Sequence, residues 1–266
     1  MDRHDWIDLN AKALMDWFRG AAQSSETGQV VERPGVIAAI SPGTRGRSVF
    51  NSVAYDDAAA LEEAYADIAS AYEDAGCAWT VWVPENDSGV SSMLARAGHV
   101  LDAQPRAMGM SLEGLSEHDL SGLDWTAKGD FDEACLINDR AYGYSEGTWR
   151  GGMGRPDGAF VYSARINGEG AATVMTKDHD GPAGADCSVW AVATLEPARG
   201  KGLASALLLQ ALRDATRRGC ATTTLQATKL GRGIYERLGY QDVGALQMWE
   251  LRPPELAGQA HLPPPA

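Results

Sequence analysis

The feature of this sequence that most constrains the fold is an order of helices and strands that occurs twice. The tripeptide at positions 76–78 recurs at 219–221, an offset of 143 residues, and the segment 94–99 aligns with 235–240 at an offset of 141. In both copies a long apolar-striped segment ends at a glycine, a strand-like segment follows, and a shorter helical segment ends at another glycine. This order predicts a diverged tandem duplication; the alternative is that any two β–α–β units share a few glycines.

The first copy predicts an α/β unit. An apolar stripe at i, i+4, i+7 and i+11 from Leu61 to Tyr72 predicts an amphipathic helix. Asp56 and Asp57 offer an N-cap ahead of this helix, and Gly76 offers a stop behind it. Further helices are predicted at 5–20 and 88–97, and strands at 35–41, 48–55, 78–84 and 107–112.

The second copy repeats this order at greater length. Asn167 and Gly168 form a dipeptide that favours a hairpin between two of its strands. Residues 252–266 contain five prolines and are expected to be disordered. Helices are predicted at 130–142, 200–218 and 231–238, and strands at 160–166, 170–176, 187–194, 222–227 and 245–251.

The charge balance limits the classes of partner. The chain has 23 basic and 36 acidic side chains, a formal charge of −13, which argues against nucleic acid or an anionic membrane as the main partner. Residues 1–120 carry 8 basic and 19 acidic side chains, whereas residues 121–266 carry 15 and 17. The two copies should therefore present different surfaces, but this charge does not identify a ligand.

Hydropathy and cysteine spacing indicate the compartment. No apolar run approaches the roughly 18 residues that span a bilayer, and residues 1–11 lack the basic-then-apolar order of a secretory signal. We therefore expect a soluble, cytoplasmic protein. Its cysteines are scattered without a CxxC or a Cys/His cluster, so buried thiols are expected rather than disulfides or a metal site. They are Cys77, Cys135, Cys187 and Cys220.

The segment 199–204, with sequence RGKGLA, follows a predicted strand and opens a predicted helix. Gly200 and Gly202 lack a Cβ, so successive backbone N–H groups can approach a phosphate there. The helix N-terminus adds partial positive charge. A lone GxG often marks only a tight turn, but the basic pair and the strand–turn–helix context favour an anion site.

Residues 192–204, followed by 225–228 and 231–240, resemble the GNAT superfamily of N-acetyltransferases. The acetyl-CoA signature of that family, Arg/Gln-x-x-Gly-x-Gly/Ala, is met by Arg199, Gly202 and Ala204. The resemblance covers about 121–251 well and 30–113 faintly. It implies an α/β fold of two halves, each a mixed, mostly antiparallel sheet flanked by helices, as in tandem members of the family.

The resemblance also implies roles for matched positions. Tyr235 matches the tyrosine that faces the departing CoA sulfur, where a neutral phenol can supply a proton; the alternative is a packing role. Thr228 stands where many members carry an Asn that contacts pantetheine. The implied cofactor-binding residues are Val192, Ala193, Thr194, Arg199, Gly200, Lys201, Gly202, Leu203, Ala204, Ser205 and Thr228.

Asp186 is the candidate base for the amine, because several members carry a carboxylate on the strand ahead of the signature; the alternative is an exposed turn acid. The loop that covers the acceptor in the family holds a second group of candidates. Its aromatic side chains could close over an apolar stem and its acid could pair with an ammonium, or the loop could simply be packed. These candidate substrate-binding residues are Tyr142, Tyr144, Glu146 and Trp149. His179 is expected to be solvated and is not a candidate.

The first copy lacks the signature. Residues 56–61 stand opposite it with two carboxylates and no glycine, and Leu94 stands at the position of the phenol. We therefore expect a degenerate GNAT-like domain without a cofactor site at 1–120, an acetyltransferase domain at 121–252 and a disordered tail at 253–266.

The resemblance implies an acetyl-CoA-dependent N-acetyltransferase that acts on a small-molecule amine without a metal. Direct transfer in a ternary complex is expected, since no cysteine is placed as a relay nucleophile. The alternatives are a CoA-binding sensor or scaffold without turnover, and transfer of a longer acyl group. We expect a monomer whose two halves pack as a pseudo-dimer.

Overall fold

The computed structural model describes residues 1–115, 120 and 122–257 of the chain. Within them the helices are α1 (Arg3–Gln23), α2 (Ala58–Ala75), α3 (Ser88–Arg96), α4 (Phe131–Ala141), α5 (Thr148–Gly152), α6 (Leu203–Arg218) and α7 (Arg232–Leu238). The strands of the first half are β1 (Gln29–Arg33), β2 (Val36–Ile40), β3 (Ser52–Tyr55), β4 (Trp79–Pro84), β5 (Val100–Ala103) and β6 (Arg106–Ser111). Those of the second half are β7 (Asp124–Thr126), β8 (Ala159–Ile166), β9 (Glu169–Gly181), β10 (Gly184–Thr194), β11 (Cys220–Ala227) and β12 (Gln241–Leu251).

The two halves share one topology. In the first, β1, β2 and β3 pair antiparallel in sequence order, α2 follows, and β4 pairs parallel to β3. In the second, β8, β9 and β10 pair antiparallel, α6 follows, and β11 pairs parallel to β10. The expected fold of two mixed, mostly antiparallel sheets flanked by helices is confirmed, and so is the duplication.

Local chemistry explains why the predicted helices form where they do. Asp57 caps α2, since its carboxylate accepts hydrogen bonds from the backbone N–H groups of Ala59 and Ala60 at 2.9 and 3.3 Å. Gly76 ends this helix in the left-handed conformation at φ +61°, and Gly219 ends α6 at φ +98°. These ends depend on nearby residues alone, which is why the sequence predicted them well.

The sequence predicted strands less completely than helices. β1, β5 and β7 are absent from the prediction. β1 is a short strand at the sheet edge with two half-buried valines, β5 is cut off from β6 by Pro105, and β7 has three residues only. β9 runs on to Gly181 rather than ending at 176. Its polar final residues pair with the start of β10, and backbone pairing of this kind leaves no apolar pattern to read.

The halves exchange strands. β6, from the first half, pairs with β11 of the second over six residues, from Ser111 opposite Thr222 to Arg106 opposite Ala227. In the opposite direction, the later part of β12, a strand of the second half, pairs with β4 of the first half from Leu246 to Leu251. One continuous sheet results, in the order β1-β2-β3-β4-β12-β6-β11-β10-β9-β8-β7, with β5 also paired to β12. Each half therefore lacks a complete sheet without a strand of the other, although the predicted boundary at 120 divides the repeats in sequence.

Helix α1 packs on one face of this sheet and contacts both halves. Its buried side chains join the core that contains residues of both halves, among them Ala39 and Met175. Trp17 of α1 stacks on Trp190 of β10 with ring centroids 4.6 Å apart and an angle of 6° between planes. Gly109 of β6 is required below the helix, because a Cβ there would lie 2.2 Å from the ring of Trp6.

The remaining predictions about the chain have mixed outcomes. All four cysteines are buried free thiols, as expected. Residues 254–256 form a 3₁₀ turn in which Leu256 is buried, so the start of the tail is ordered, while positions 258–266 lie outside the described residues. None of the described helices combines the length and the apolarity needed to cross a bilayer.

Candidate functional site

A cleft opens in the second half where two parallel strands diverge. In the described structure, β10 and β11 pair as far as Val189 opposite Leu225 and no further. The register of β10 against β9 also shifts between Trp190 and Ala193, and Ala191 adopts a left-handed φ of +50°. The strand edge beyond Val189 therefore borders a cleft of about 560 Å³ instead of a neighbouring strand.

The loop before α6 forms one end of the cleft. Gly200 and Gly202 have φ of +77° and +76°, a conformation that favours glycine, although a Cβ at either would meet nothing within 4 Å. The first hydrogen bond within α6 runs from the N–H of Ala206 to the carbonyl of Gly202. The N–H groups of residues 203–205 thus have no partner inside the helix and present an anion-binding end to the cleft.

The structure brings nearly all predicted cofactor-binding residues to this cleft. Ten of the eleven line it, and Lys201 alone among them is exposed without lining it. The Arg199 guanidinium lies within 3.4 Å of the backbone carbonyls of Thr194 and Ala141, so it braces the loop against β10 and α4. The Thr228 hydroxyl accepts from the N–H of Gly231 at 3.3 Å and keeps its own hydrogen for another partner.

Two tyrosines line the cleft near the strand divergence. Tyr235 of α7 is buried, and burial raises the pKa of its phenol well above the usual range. Its ring lies against Gly231, where a Cβ would be 2.9 Å from the ring carbon Cε2. Tyr142 donates its hydroxyl hydrogen to the carbonyl of Val192 at 3.1 Å, and burial raises its pKa to about 12. Both phenols therefore hold their protons at neutral pH.

Asp186 lies away from the cleft. Its side chain is 0 % exposed, and its two oxygens accept hydrogen bonds from the hydroxyls of Thr222 and Thr224, each at 2.7 Å. Burial raises the pKa of its carboxyl group. The position does not support the predicted role as base, and the alternative of an exposed turn acid is wrong. The register of β10 explains why Asp186 is buried. The residues that precede it already pair with β9, so Asp186 lies within the sheet and not in a turn.

His179 accompanies Asp186 in the interior. Its side chain is 6 % exposed, with Nε2 3.7 Å from an oxygen of Asp186. Neither ring nitrogen has a hydrogen-bond partner among the described residues. The expectation of a solvated histidine is therefore wrong, because β9 continues through this position as a paired strand rather than a turn.

The predicted acceptor loop is packed onto both halves. Trp149 packs edge-on against Phe50 of the first half with centroids 5.4 Å apart, and the guanidinium of Arg47 lies 4.9 Å from the centroid of Tyr144. Glu146 forms an ion pair with Arg140 at 2.9 Å. Of the four predicted acceptor residues, Tyr142 alone lines the cleft.

Asp139 of α4 holds this loop, and the sequence analysis missed it. Its carboxylate accepts from the N–H groups of Gly147 and Trp149 at 2.7 and 2.9 Å. The signal available in the sequence was an acid within the predicted helix 130–142, directly ahead of a glycine-rich loop.

A second cavity adjoins the cleft and was also missed. This aromatic chamber has a volume of about 170 Å³ and shares Val189, Trp190, Ala191 and Gln226 with the cleft. Its walls come from both halves, which is why no local pattern could reveal it. The aromatic side chains that line it are Trp17, Phe18, Phe50, Trp82, Trp149 and Trp190.

The corresponding helix end of the first half is already occupied. The carboxylate of Asp57 accepts from the N–H groups at the start of α2, where the second half presents free N–H groups. Leu94 is buried in the apolar core at the position that corresponds to Tyr235. Both observations agree with the prediction that residues 1–120 hold no cofactor, which stays a prediction.

Residues 123–240 match the family model described as Acetyltransferase (GNAT) family. No match was found among curated proteins. Among solved structures, the GCN5-related N-acetyltransferase from Kribbella flavida is 18% identical with a TM-score of 0.64, over 91% of this chain and 94% of that one. A putative GNAT-family acetyltransferase from Novosphingobium aromaticivorans is 20% identical with a TM-score of 0.58, over 91% and 98%. A tandem GNAT protein from the clavulanic acid biosynthesis pathway is 13% identical with a TM-score of 0.53, over 92% and 96%. At these identities the likeness concerns the fold.

Proposed function

We propose that this chain is a GNAT acetyltransferase, because residues 123–240 match that family model, and that its second half transfers an acetyl group from acetyl-CoA to the nitrogen of an amine. The observation that carries the proposal is the cleft at the divergence of β10 and β11. It has an anion-binding helix end on one side and a buried phenol, Tyr235, on the other.

The cleft suits the three chemical parts of acetyl-CoA. The free N–H groups of residues 203–205 and the left-handed glycines before them would hold the pyrophosphate. The strand edge at 190–194 has backbone groups to offer the amides of pantetheine, as a sheet edge does to an added strand. The hydroxyl of Thr228 can donate one further hydrogen bond in that direction.

The same strand edge supports the chemistry of transfer. The nitrogen lone pair attacks the thioester carbon, and a backbone N–H from residues 192–194 would stabilise the oxyanion that forms. The C–S bond then breaks, and the sulfur takes a proton from Tyr235, whose raised pKa keeps the phenol neutral until that moment. The proton that the attacking nitrogen loses restores the phenol, so the products are the amide and the thiol of CoA.

Cysteine chemistry does not compete with this route. Burial raises the pKa of the thiols of Cys187 and Cys220, and neither lines the cleft. Direct transfer in a ternary complex is therefore the mechanism we propose.

Tyr235→Phe tests the proposal, because it keeps the ring and removes only the hydroxyl. We expect acetyl-CoA affinity by calorimetry to stay nearly unchanged and turnover, followed as CoA release with a thiol reagent, to fall about 10²-fold. Tyr240→Phe is the matched control, since that buried hydroxyl contacts Thr223 and does not line the cleft. Binding of acetyl-CoA by the wild type without release across an amine panel would favour a CoA sensor instead.

A further inference from the structure

The aromatic chamber has the size of one six-membered ring. Its volume of about 170 Å³ is close to the roughly 150 Å³ of an apolar cavity that binds benzene. Aromatic rings prefer offset or edge-to-face contacts, which a wall of six aromatic side chains offers in several directions.

The described walls of the chamber contain no charged side chain that could pair with an ammonium. Among the described residues that line it, none is Asp, Glu, Lys, Arg or His. Burying an ammonium without a partner is costly, so an amine that enters should be neutral. The described part of the cleft, where the transfer would take place, has no base either. Its described lining residues include no carboxylate or imidazole that could take a proton from an ammonium.

The polar groups of the chamber favour a hydrogen-bond donor. The hydroxyl of Ser41 donates to the carbonyl of Gly152 at 2.7 Å, and the side-chain N–H of Gln226 donates to Asn10 at 3.0 Å. Each keeps an oxygen that can accept from an amine N–H. The indole N–H of Trp149 is buried and has no partner among the described residues, so the wall also has a donor to offer.

The geometry points to a weakly basic amine on a single apolar ring, an arylamine, as the acceptor, with its ring in the aromatic chamber and its nitrogen at the mouth shared with the cleft. This inference rests on the proposed function and names its substrate class. The wall that the two cavities share, where this mouth would lie, consists of Val189, Trp190, Ala191 and Gln226 at the divergence of β10 and β11. An amine held there meets the strand edge that would bind the thioester.

The proton balance of the reaction agrees with this class. A neutral amine and a thioester give an amide and a thiol: the N–C bond forms, the C–S bond breaks, and the proton lost by nitrogen equals the one gained by sulfur. No base is needed to neutralise an ammonium first. An alkyl ammonium would need one, and the described cleft and chamber do not supply it.

The inference also gives the first half a role. Trp17, Phe18, Phe50 and Trp82 belong to residues 1–120, so this half, which is predicted to hold no cofactor, supplies most of the rings that would surround the acceptor. It would therefore determine specificity without taking part in the chemistry.

The experiment compares aniline, benzylamine and spermidine as acceptors with the full-length wild type. We expect kcat/KM at pH 7 to be at least tenfold higher for aniline than for the two amines that are protonated at that pH. For aniline it should change little between pH 7 and 9. Aniline should also quench the tryptophan fluorescence of the chamber without acetyl-CoA, which measures binding independently of turnover.

Val49→Trp narrows the chamber at a half-buried wall position, and Val100→Trp makes the same change at an exposed valine of the same half. We expect Val49→Trp to weaken aniline quenching and to lower its kcat/KM at least tenfold, with acetyl-CoA affinity unchanged, and Val100→Trp to alter neither.

Absence of aniline quenching, or faster transfer to benzylamine or spermidine, would overturn the inference even if the enzyme releases CoA. Quenching that Val49→Trp abolishes, without CoA release on any amine, would support the chamber as the ring site and refute the proposed function instead.

Discussion

Met108→Ala tests whether the exchanged strands couple the two halves. Met108 lies on β6, in the first repeat by sequence, but its side chain is 0 % exposed within the core under α6 in the second half. It pairs in register with Leu225 on one side and with Asp242 on the other. A truncation here removes packing from the second half through a residue encoded in the first.

The expected cost follows from burial. Replacing a buried Met by Ala costs about 2–5 kcal/mol, and a flexible thioether site that can partly collapse lies toward the lower end, about 3 kcal/mol. For a chain of this size each kcal/mol shifts Tm by roughly 2–4 °C, which gives a decrease of about 6–12 °C.

The assay combines scanning calorimetry with hydrogen exchange. Because the strands of the two halves alternate in one continuous sheet where β12 and β6 cross over, we expect one shifted transition and faster exchange in both β2 and β9. Met93→Ala is the control, since Met93 is half-buried on α3 and packs against the first-half core alone, where we expect a cost below about 2 kcal/mol. Two separate transitions, of which Met108→Ala moves only one, would refute the coupling.

Three further predictions follow from the site and the sheet. Gly202→Glu should abolish acetyl-CoA binding, which calorimetry on the wild type should find at one site per chain; a stoichiometry of two would contradict a cofactor-free first half. Asp186→Asn should leave turnover within about twofold, and a 10²-fold loss would restore the carboxylate as base. Burial raises the folded pKa of Asp186 above its usual value of 3.8, so ionisation of this carboxyl group opposes folding once the pH exceeds that value. Tm of the variant relative to wild type should therefore increase as the pH rises above about 4. A fragment of residues 121–266 should self-associate in light scattering, because β11 loses β6 and exposes a bare edge; a monodisperse, fully active fragment would make the first half a separable module.

Much of the candidate site could be predicted from the sequence because it depends on short-range geometry. Gly200 and Gly202 indicate left-handed turns ahead of a helix. The first N–H groups of any helix have no partner within it, so these donors are also predictable from the sequence. The carboxylate of Asp57 likewise predicts an occupied helix end in the first half. In each of these places the interacting atoms lie within a few residues of one another.

Tertiary structure alone decided the rest. Neither the apolar pattern of β6 nor that of β12 specifies which sheet the strand joins, because a strand presents the same backbone groups to any neighbour. Asp186 is buried because distant threonines on β11 satisfy its oxygens. The aromatic chamber exists because α1, β4 and β10 meet at the junction of the halves. The sequence determines the local conformation and the hydrogen-bonding groups of each residue, whereas long-range strand pairing determines which residues face one another.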